Sequence, residues 1–239
     1  MSASANPDIV TDGLVLCLDA ADSKSYGGSG TTWNDRSGQD NVMSLANSPT
    51  FNSEGYLSFD GTSEYAAANK EYGFNTGGGT MFTFDIWFKM RVLPTSQYGS
   101  NGHIWGGEIG NDVVLYLNPA SNGVSRGNMN YDDTRYGDSD HFTNGGFTAD
   151  TWAHWAVVGD GTNHKIAHYI NGQLDFEGAD NSIASSQRIK SWGGTRIAYD
   201  SRWGTYSQLD LAIAKQYNKK LTAGEVLQNY NATKSRFGL

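Results

Sequence analysis

An alternation of apolar and more polar residues at 81–92, MFTFDIWFKMRV, interrupted by Met81 and Trp87, constrains the fold more than any other feature of the chain. A period of two is that of a β-strand, whose successive side chains point to opposite faces of a sheet. The segment therefore predicts one long strand with a wetter face and a dry face formed by Phe82, Phe84, Ile86, Phe88, Met90 and Val92. On the wetter face, Trp87 is a candidate ligand platform, but cross-strand packing is the favoured interpretation.

Shorter strands are predicted along most of the chain, separated by clusters of Gly, Asn, Asp and Ser. The Asn171-Gly172 pair, between KIAHYI and QLDFEG, predicts a hairpin because both central turn positions need a positive φ. Many short strands at this spacing predict a two-sheet antiparallel jelly-roll sandwich. The predicted strands are 13–19, 56–61, 103–108, 113–118, 152–159, 165–172, 195–200 and 209–217.

One short helix is predicted near the end of the chain, in KLTAGEVLQNY. Thr222 and Glu225 form a capping box, and Leu221 before the cap can pack on Val226 in the first turn. The fold class is therefore all-β, an antiparallel jelly-roll sandwich with one short C-terminal helix. The helix residues expected to anchor it onto the sandwich are Val226, Leu227 and Tyr230.

Composition excludes several classes of protein. The 239 residues include 30 Gly but only 4 Pro, and 13% are aromatic, which excludes collagen and argues against extended disorder. The net charge of −8 argues against binding nucleic acid or inserting into an anionic membrane. No apolar run approaches the ~20 residues needed to span a bilayer, and the first residues lack the pattern of a secretory signal. Cys17 has no partner for an internal disulfide and is interpreted as a small buried hydrophobe.

The chain is predicted to form a single domain over residues 12–239, preceded by an N-terminal arm at 1–11. Its segments, from DGLVLCLDAADSKSY through YLSFDGTSEY and FTFDIWFK to LDLAIAKQYNKKLTAGEVLQNYNATKSRFGL, resemble the concanavalin A-like lectin/glucanase superfamily in its laminin-G-like branch. The opening TDGLVLCLDAADSKSY and the ending YNATKSRFGL resemble the form found in tailed-phage virion proteins. This resemblance implies two antiparallel sheets and roles in carbohydrate binding or adhesion, although one fold hosts many functions.

Glycoside hydrolysis is disfavoured by the distribution of carboxylates. Such an enzyme needs two carboxyl groups about 5–5.5 Å apart for a retaining mechanism, and relatives with this activity are expected to place them on one strand. Here the six glutamates are isolated, and Glu225 is assigned to a helix cap. Glu108, with Asp112 four residues on, is the best remaining candidate, but glycines interrupt the strand pattern around it.

The sequence contains candidate ligands for zinc and for calcium. His154, His164 and His168 suggest zinc, but in the expected hairpin, with Val158 opposite Lys165, His154 and His168 point to opposite faces. Calcium suits the abundant oxygen ligands better. The candidate calcium ligands, in YDDTRYGDSDHF, are Asp132, Asp133, Asp138 and Asp140. A second acidic cluster, Asp19 and Asp22, could meet a late strand carrying Asp210. For both clusters the alternative is that the aspartates are solvated turn residues.

Aromatic residues in loops are candidate sugar platforms, because the apolar faces of sugars stack on aromatic rings. Core or interface packing is the alternative for each of them, and Trp33 is assigned to packing. The candidate carbohydrate-binding residues are Trp105, Tyr131, Tyr136, Trp192 and Trp203.

The favoured function is a non-enzymatic phage virion protein, a capsid decoration or a tail or fibre component assembled in the host cytoplasm. Its expected partners are other virion proteins, copies of itself and host surface glycan. No cofactor is required, and calcium is an optional ligand. The alternatives are a surface or secreted carbohydrate-binding module with calcium and, less favoured, a glycoside hydrolase.

Overall fold

The computed structural model describes residues 8–68, 81–96, 99–106, 113–120, 124–131, 139–179 and 195–239. Strands dominate these residues, and the only helices within them lie at the C-terminal end: α1 (Ala223–Thr233) and a 3₁₀ helix (Lys234–Phe237). The strands in chain order are β1 (Leu14–Asp19), β2 (Thr32–Trp33), β3 (Met43–Ala46), β4 (Thr50–Asn52), β5 (Tyr56–Asp60), β6 (Tyr65–Ala68), β7 (Met81–Met90), β8 (His103–Gly106), β9 (Val113–Pro119), β10 (Val124–Tyr131), β11 (Ser139–Phe142), β12 (Phe147–Thr148), β13 (Ala153–Asp160), β14 (Lys165–Ile170), β15 (Gln173–Ala179), β16 (Arg196–Ile197), β17 (Tyr199–Asp200), β18 (Thr205–Tyr206) and β19 (Gln208–Tyr217).

Two large antiparallel sheets form the sandwich. The first sheet has the order β15-β14-β13-β7-β19-β5-β4, with β1 pairing with β19. The second sheet has the order β11-β10-β9-β8-β16-β6-β3-β2, with β12 pairing with β10. Strands β17 and β18 form a separate hairpin. The predicted all-β jelly roll with one short C-terminal helix is confirmed.

The main core lies between the two sheets, and the alternation of β7 builds its centre. The dry face is confirmed, because its members on the strand belong to the core cluster: Phe82, Phe84, Ile86, Phe88 and Met90. Val92 lies beyond the end of the strand and is 41% exposed. The prediction of a wetter opposite face is wrong, because Asp85 and Trp87 are fully buried there. The N-terminal segment and α1 cover that face of the sheet.

Helix α1 begins as predicted. Thr222 accepts from the backbone N–H of Glu225, whose carboxylate accepts from the backbone N–H of Thr222 at 2.7 Å, so the capping box is confirmed. Val226 is buried as expected, but Leu227 is 37% exposed and does not anchor the helix. The buried polar side chain of Asn229 faces the sheet instead.

Trp87 is a packing residue, as favoured. Its ring stacks on Phe237 with centroids 4.0 Å apart and on Tyr230 at 5.7 Å. Its indole N–H donates to Thr233 Oγ1 at 2.8 Å. Because this face is covered by the end of the chain, Trp87 is closed to ligands.

Each of the shorter predicted segments contains a strand, with one interruption. The segment 195–200 divides into β16 and β17 at Ala198, whose φ of 67° breaks the extended chain. Asn171 and Gly172 have φ values of 50° and 75° and connect β14 to β15, which confirms the hairpin. Cys17 is 7% exposed, and burial raises the pKa of its thiol to about 12, as expected of a buried hydrophobe.

The β13–β14 hairpin closes in a register different from the expected one. Asp160 pairs with Lys165, so Val158 lies opposite Ala167 rather than Lys165. A shift of two residues preserves the face of every side chain. His154 and His168 therefore do point to opposite faces, His154 to Asp85 at 3.2 Å and His168 to a stacked Trp155 at 5.8 Å.

The N-terminal segment packs against the C-terminal helix. Val10 is 7% exposed, its N–H donates to Asn229 Oδ1 at 2.8 Å, and its carbonyl accepts from the Tyr217 hydroxyl at 3.0 Å. These contacts join the two ends of the described chain on the outer face of the first sheet. In the described part of the chain, no helix has the length and apolar character needed to cross a membrane.

Candidate functional site

Three tyrosines gather on the outer face of the second sheet, where the β17–β18 hairpin lies beside β6. The rings of Tyr199 and Tyr206 stack with centroids 4.4 Å apart. Tyr65 lies 5.2 Å from Tyr199 and 6.4 Å from Tyr206, centroid to centroid. All three side chains are partly exposed. The surface formed by Tyr65, Arg196, Tyr199, Trp203 and Tyr206 is called the hairpin patch below.

Strand alternation places two members of the hairpin patch outward. Ala66 on β6 and Ile197 on β16 belong to the core between the sheets, so their neighbours Tyr65 and Arg196 point to the outer face. The guanidinium carbon of Arg196 lies 5.7 Å from the Tyr65 ring centroid and 5.4 Å from that of Tyr199. Arg196 thus makes cation–π contacts with both rings.

Trp203 lies in the turn that joins β17 to β18. Its side chain is 61% exposed, which is unusual for the largest apolar side chain. Gly204 next to it has a φ of 63° with no heavy atom near the place of a Cβ, so the turn uses glycine for its conformation rather than for space. The hairpin therefore presents a tryptophan ring to solvent in the turn between Tyr199 and Tyr206.

A buried polar network holds the base of this hairpin. Asp200 is 2% exposed and accepts from the Tyr116 hydroxyl and from the backbone N–H of Arg202 at 2.8 Å. Arg202 also donates to the Tyr116 hydroxyl, and its Nε lies 3.5 Å from Asp200 Oδ1. Burial, reinforced by the Asp200 charge, raises the pKa of Tyr116 far above its ordinary value. Tyr116 therefore stays protonated and donates to Asp200.

His103 completes the network from strand β8. Its Nδ1 lies 3.9 Å from Asp200 Oδ2, and its Nε2 lies 3.3 Å from the carbonyl oxygen of Arg196. Burial lowers the pKa of His103 to about 4, although Asp200 acts in the opposite direction. A neutral imidazole thus packs beneath the hairpin patch near neutral pH.

The hairpin patch contains groups that are able to contact a ring-shaped ligand. Aromatic faces stack on the apolar faces of ring ligands, while a guanidinium and phenolic hydroxyls supply hydrogen bonds. The carboxylate in the network beneath the hairpin patch, that of Asp200, is buried and paired with Arg202. The described residues of this surface thus lack the two accessible carboxyl groups of a glycosidase.

The predicted sugar platforms have different outcomes. Trp203 is exposed in the hairpin patch. The prediction for Trp105 is wrong, because this ring is 1% exposed and packs edge-on against Phe84 in the core. Tyr131 lies at the end of β10, and only its backbone is described. Tyr136 and Trp192 lie outside the described residues.

Three of the predicted calcium ligands, Asp132, Asp133 and Asp138, lie outside the described residues, between β10 and β11. Asp140 lies on β11 opposite Asn130 of β10. Glu108 and Asp112, the candidate hydrolase residues, are also outside the described part. These calcium and hydrolase residues therefore remain predictions.

The second acidic cluster does not assemble. Asp19 pairs across the sheet with Ile213, and its carboxylate binds Arg236 at 2.8 and 2.9 Å. Asp210 instead lies 3.0 Å from Lys89 and accepts from Ser58 at 2.6 Å. Throughout the described ranges, no group of three or more His, Cys, Asp or Glu side chains is placed to hold a metal ion.

The three tyrosines of the hairpin patch were not predicted as binding residues from the sequence. Tyr65 and Tyr206 fall outside the predicted strands, and Tyr199 falls within one. The available signal was the apolar Ala66 and Ile197 beside Tyr65 and Arg196, which marks those two residues as outward-facing. That signal gives the face but not the neighbour, because β6 and β16 are far apart in the chain.

The two antiparallel sheets form a lectin-like jelly-roll fold. The laminin-G-like model of the Concanavalin A-like lectin/glucanases superfamily matches residues 60–227, and the chain belongs to this superfamily. The comparison with curated protein sequences found no match.

Several solved structures share the fold. The botulinum neurotoxin serotype G binding domain is 16% identical with a TM-score of 0.66, over 91% of this chain and 50% of that one. The serotype D ligand-binding domain in complex with N-acetylneuraminic acid is 14% identical with a TM-score of 0.63, over 92% and 51%. Trypanosoma rangeli sialidase with the inhibitor DANA is 16% identical with a TM-score of 0.65, over 98% and 36%. The chain thus spans about half or less of each solved chain, and the likeness is one of fold.

Proposed function

We propose that the chain is a non-enzymatic glycan-binding module and that its hairpin patch contacts the sugar. The observation that carries the proposal is an exposed Trp203 in the turn of the same hairpin whose Tyr199 and Tyr206 pack with Tyr65 and Arg196. Buried Asp200 and partly buried Arg202 hold the hairpin in place before any ligand binds, which lowers the entropic cost of binding. The serotype D toxin domain, of which the match covers 51%, was solved in complex with N-acetylneuraminic acid, which makes sugars the first ligands to test.

A glycan array with purified, folded protein tests the proposal. Trp203→Ala removes the exposed stacking surface, and we expect it to weaken binding about tenfold or more, since a sugar-stacking aromatic contributes on the order of 1–2 kcal/mol. Leu174→Ala is the matched control, because Leu174 is 56% exposed on β15 of the opposite sheet. Equal binding by the wild type and Trp203→Ala, or no binding to any glycan, contradicts the proposal.

The non-enzymatic part of the proposal has its own test. The six glutamates are isolated in the sequence, and the hairpin patch offers no described pair of accessible carboxylates. We expect no reducing-sugar release from β-glucans. Release that is lost in Glu108→Gln would establish the hydrolase alternative instead.

Calcium is proposed as an optional ligand of the segment that joins β10 to β11, with Asp140 as the only candidate ligand on a described strand. The proposal rests on the density of acidic residues in the sequence. A chelator arm in the glycan array tests it. Binding that is unchanged by the chelator, together with an unchanged unfolding midpoint, excludes a functional calcium ion.

A virion role, as a capsid decoration or a tail or fibre component, is a second proposal. The two segments that resemble phage virion proteins are in contact, because Arg236 near the C-terminus binds the carboxylate of Asp19. Other virion proteins, copies of the chain and host glycans are the proposed partners. Mass spectrometry of purified particles tests this proposal: a repeated stoichiometry supports it, and absence from the particles excludes it.

A further inference from the structure

A cleft of about 440 Å³ opens on the outer face of the first sheet, where β13, β14 and β15 meet the start of α1. Val158, Ala167 and Tyr169 line it and belong to the apolar cluster beneath α1. Tyr169 is 7% exposed, so its ring forms part of a nearly dry floor. This volume lies within the range of small-molecule sites, roughly 300–1,000 Å³. The cleft is separate from the hairpin patch, which lies on the second sheet.

Two ion pairs border this floor. Lys165 Nζ lies 2.8 Å from Glu177 Oε1, and both side chains are about half exposed, at 52% and 47%. On the other border, Lys220 binds Asp160, which also accepts from Asn163 Nδ2 at 2.8 Å. The charged lining residues are thus two lysines and two acids, and their formal charges cancel.

The chemistry of the cleft selects a class of ligand. A lining without net charge gives little attraction to a phosphate or an isolated cation. Its ammonium, carboxylate and amide groups present donors and acceptors around an aromatic floor. A neutral ring with several hydroxyl groups matches both parts, since hydroxyls donate and accept while the ring carbons contact the apolar floor. We propose that this cleft binds one neutral saccharide residue.

Two sugar sites on opposite sheets give the chain a property that neither site has alone. Because the two sites lie on opposite outer faces, one molecule could bridge two separate glycans. The cleft proposal stands on its own geometry and does not depend on sugar binding at the hairpin patch.

The test is a chemical-shift titration of the full chain with single sugars. The probes are methyl α-D-glucopyranoside, methyl β-D-galactopyranoside, methyl α-D-mannopyranoside and N-acetylglucosamine, with sodium phosphate as the anionic probe and glycine as the zwitterionic probe. We expect at least one neutral sugar to shift the backbone amides of residues 158–169 and 220–223 in a saturable way. Phosphate and glycine should leave these amides unchanged.

A blocking variant locates the binding event. Ala223 is exposed at the mouth of the cleft, so Ala223→Trp fills the opening at little cost to folding. We expect its affinity for the sugar to fall about tenfold or more. Ala149→Trp, at an exposed turn position away from the cleft, is the matched control and should bind as the wild type does. Equal unfolding midpoints confirm that both variants fold.

The outcomes separate this proposal from the one for the hairpin patch. A cleft titration lost in Ala223→Trp but intact in Trp203→Ala supports the cleft, whatever the glycan array shows for Trp203. The cleft proposal is overturned if no neutral sugar shifts these amides, if phosphate or glycine shifts them instead, or if Ala223→Trp and Ala149→Trp bind equally.

Discussion

The environment of His103 sets how this single residue responds to pH. The imidazole is 1% exposed, and burial lowers its pKa to about 4. In the unfolded chain a histidine titrates near 6.5. Between pH 4 and about pH 6.5, the unfolded state binds a proton on this histidine that the folded state does not bind. The stability contributed by neutral His103 is therefore fully present above pH 6.5 and is lost as the pH falls toward 4.

His103→Asn should reduce this pH dependence. Between pH 7 and pH 5 we expect the wild type to lose about 2 kcal/mol more of its free energy of unfolding than the variant does. Urea denaturation at the two pH values measures the difference. His164→Asn is the matched control, since His164 lies in the β13–β14 turn and outside the network around Asp200. A variant with the same pH dependence as the wild type contradicts the neutral state of His103.

The C-terminal helix is joined to the first sheet by polar contacts as well as by packing. Asp85 on β7 is fully buried and lies 3.0 Å from Lys215 Nζ on β19 and 3.2 Å from His154 on β13. Asn229 of α1 donates to the same carboxylate at 2.9 Å. Burial alone raises the pKa of Asp85, but its interactions with Lys215 and His154 outweigh burial and leave the pKa well below its usual range. One ionised carboxylate thus connects three strands and the helix.

Asp85→Ala tests this connection between elements. The change leaves Lys215, which is 1% exposed, without its counterion, and removing one partner of a buried ion pair costs about 3–5 kcal/mol. Urea denaturation measures the free energy of unfolding. Asp22→Ala, which breaks the exposed Arg36 pair, is the control and should cost about 0–1 kcal/mol. Similar losses in both variants argue against a structural role for the buried network.

Element length explains what the sequence could predict of the fold. The long strands β7 and β19 follow from their apolar patterns, and α1 follows from its cap. Strands β2, β3, β4 and β6 have two to four residues, too few for a periodic signal. Trp105 lies within the predicted strand 103–108, and its grouping with the loop aromatics is wrong because β8 places its side chain in the core. The hairpin patch could not be predicted as a unit, since the order of strands in the second sheet brings Tyr65 next to Arg196.

On the scale of the whole molecule, the two sheets have differently covered outer faces. The first sheet carries the N-terminal segment and α1, which bury a second apolar cluster containing Val10, Tyr217 and Val226. The second sheet carries the partly exposed hairpin patch. The chain ends thus cover part of the outer face of the first sheet, whereas the outer face of the second sheet carries partly exposed aromatic rings. The sequence predicted that α1 packs on the sandwich, but it did not show which sheet the helix covers or that Val10 packs beside it.

Removal of residues 1–11 tests whether the N-terminal segment is part of the folded unit. The truncation exposes the site of Val10, whose burial contributes on the order of 2 kcal/mol. It also leaves the buried Asn229 side chain without one donor, at a further cost of about 1–3 kcal/mol. We expect a clear decrease in the free energy of unfolding, measured by urea denaturation.

A chain that begins at Asp8 keeps every contact of Val10 and is the matched control. If both truncations are equally stable, residues 8–11 are a dispensable arm and the folded domain begins at residue 12. If only the longer truncation is destabilised, the two ends of the chain hold each other on the sheet, and the domain begins before Val10.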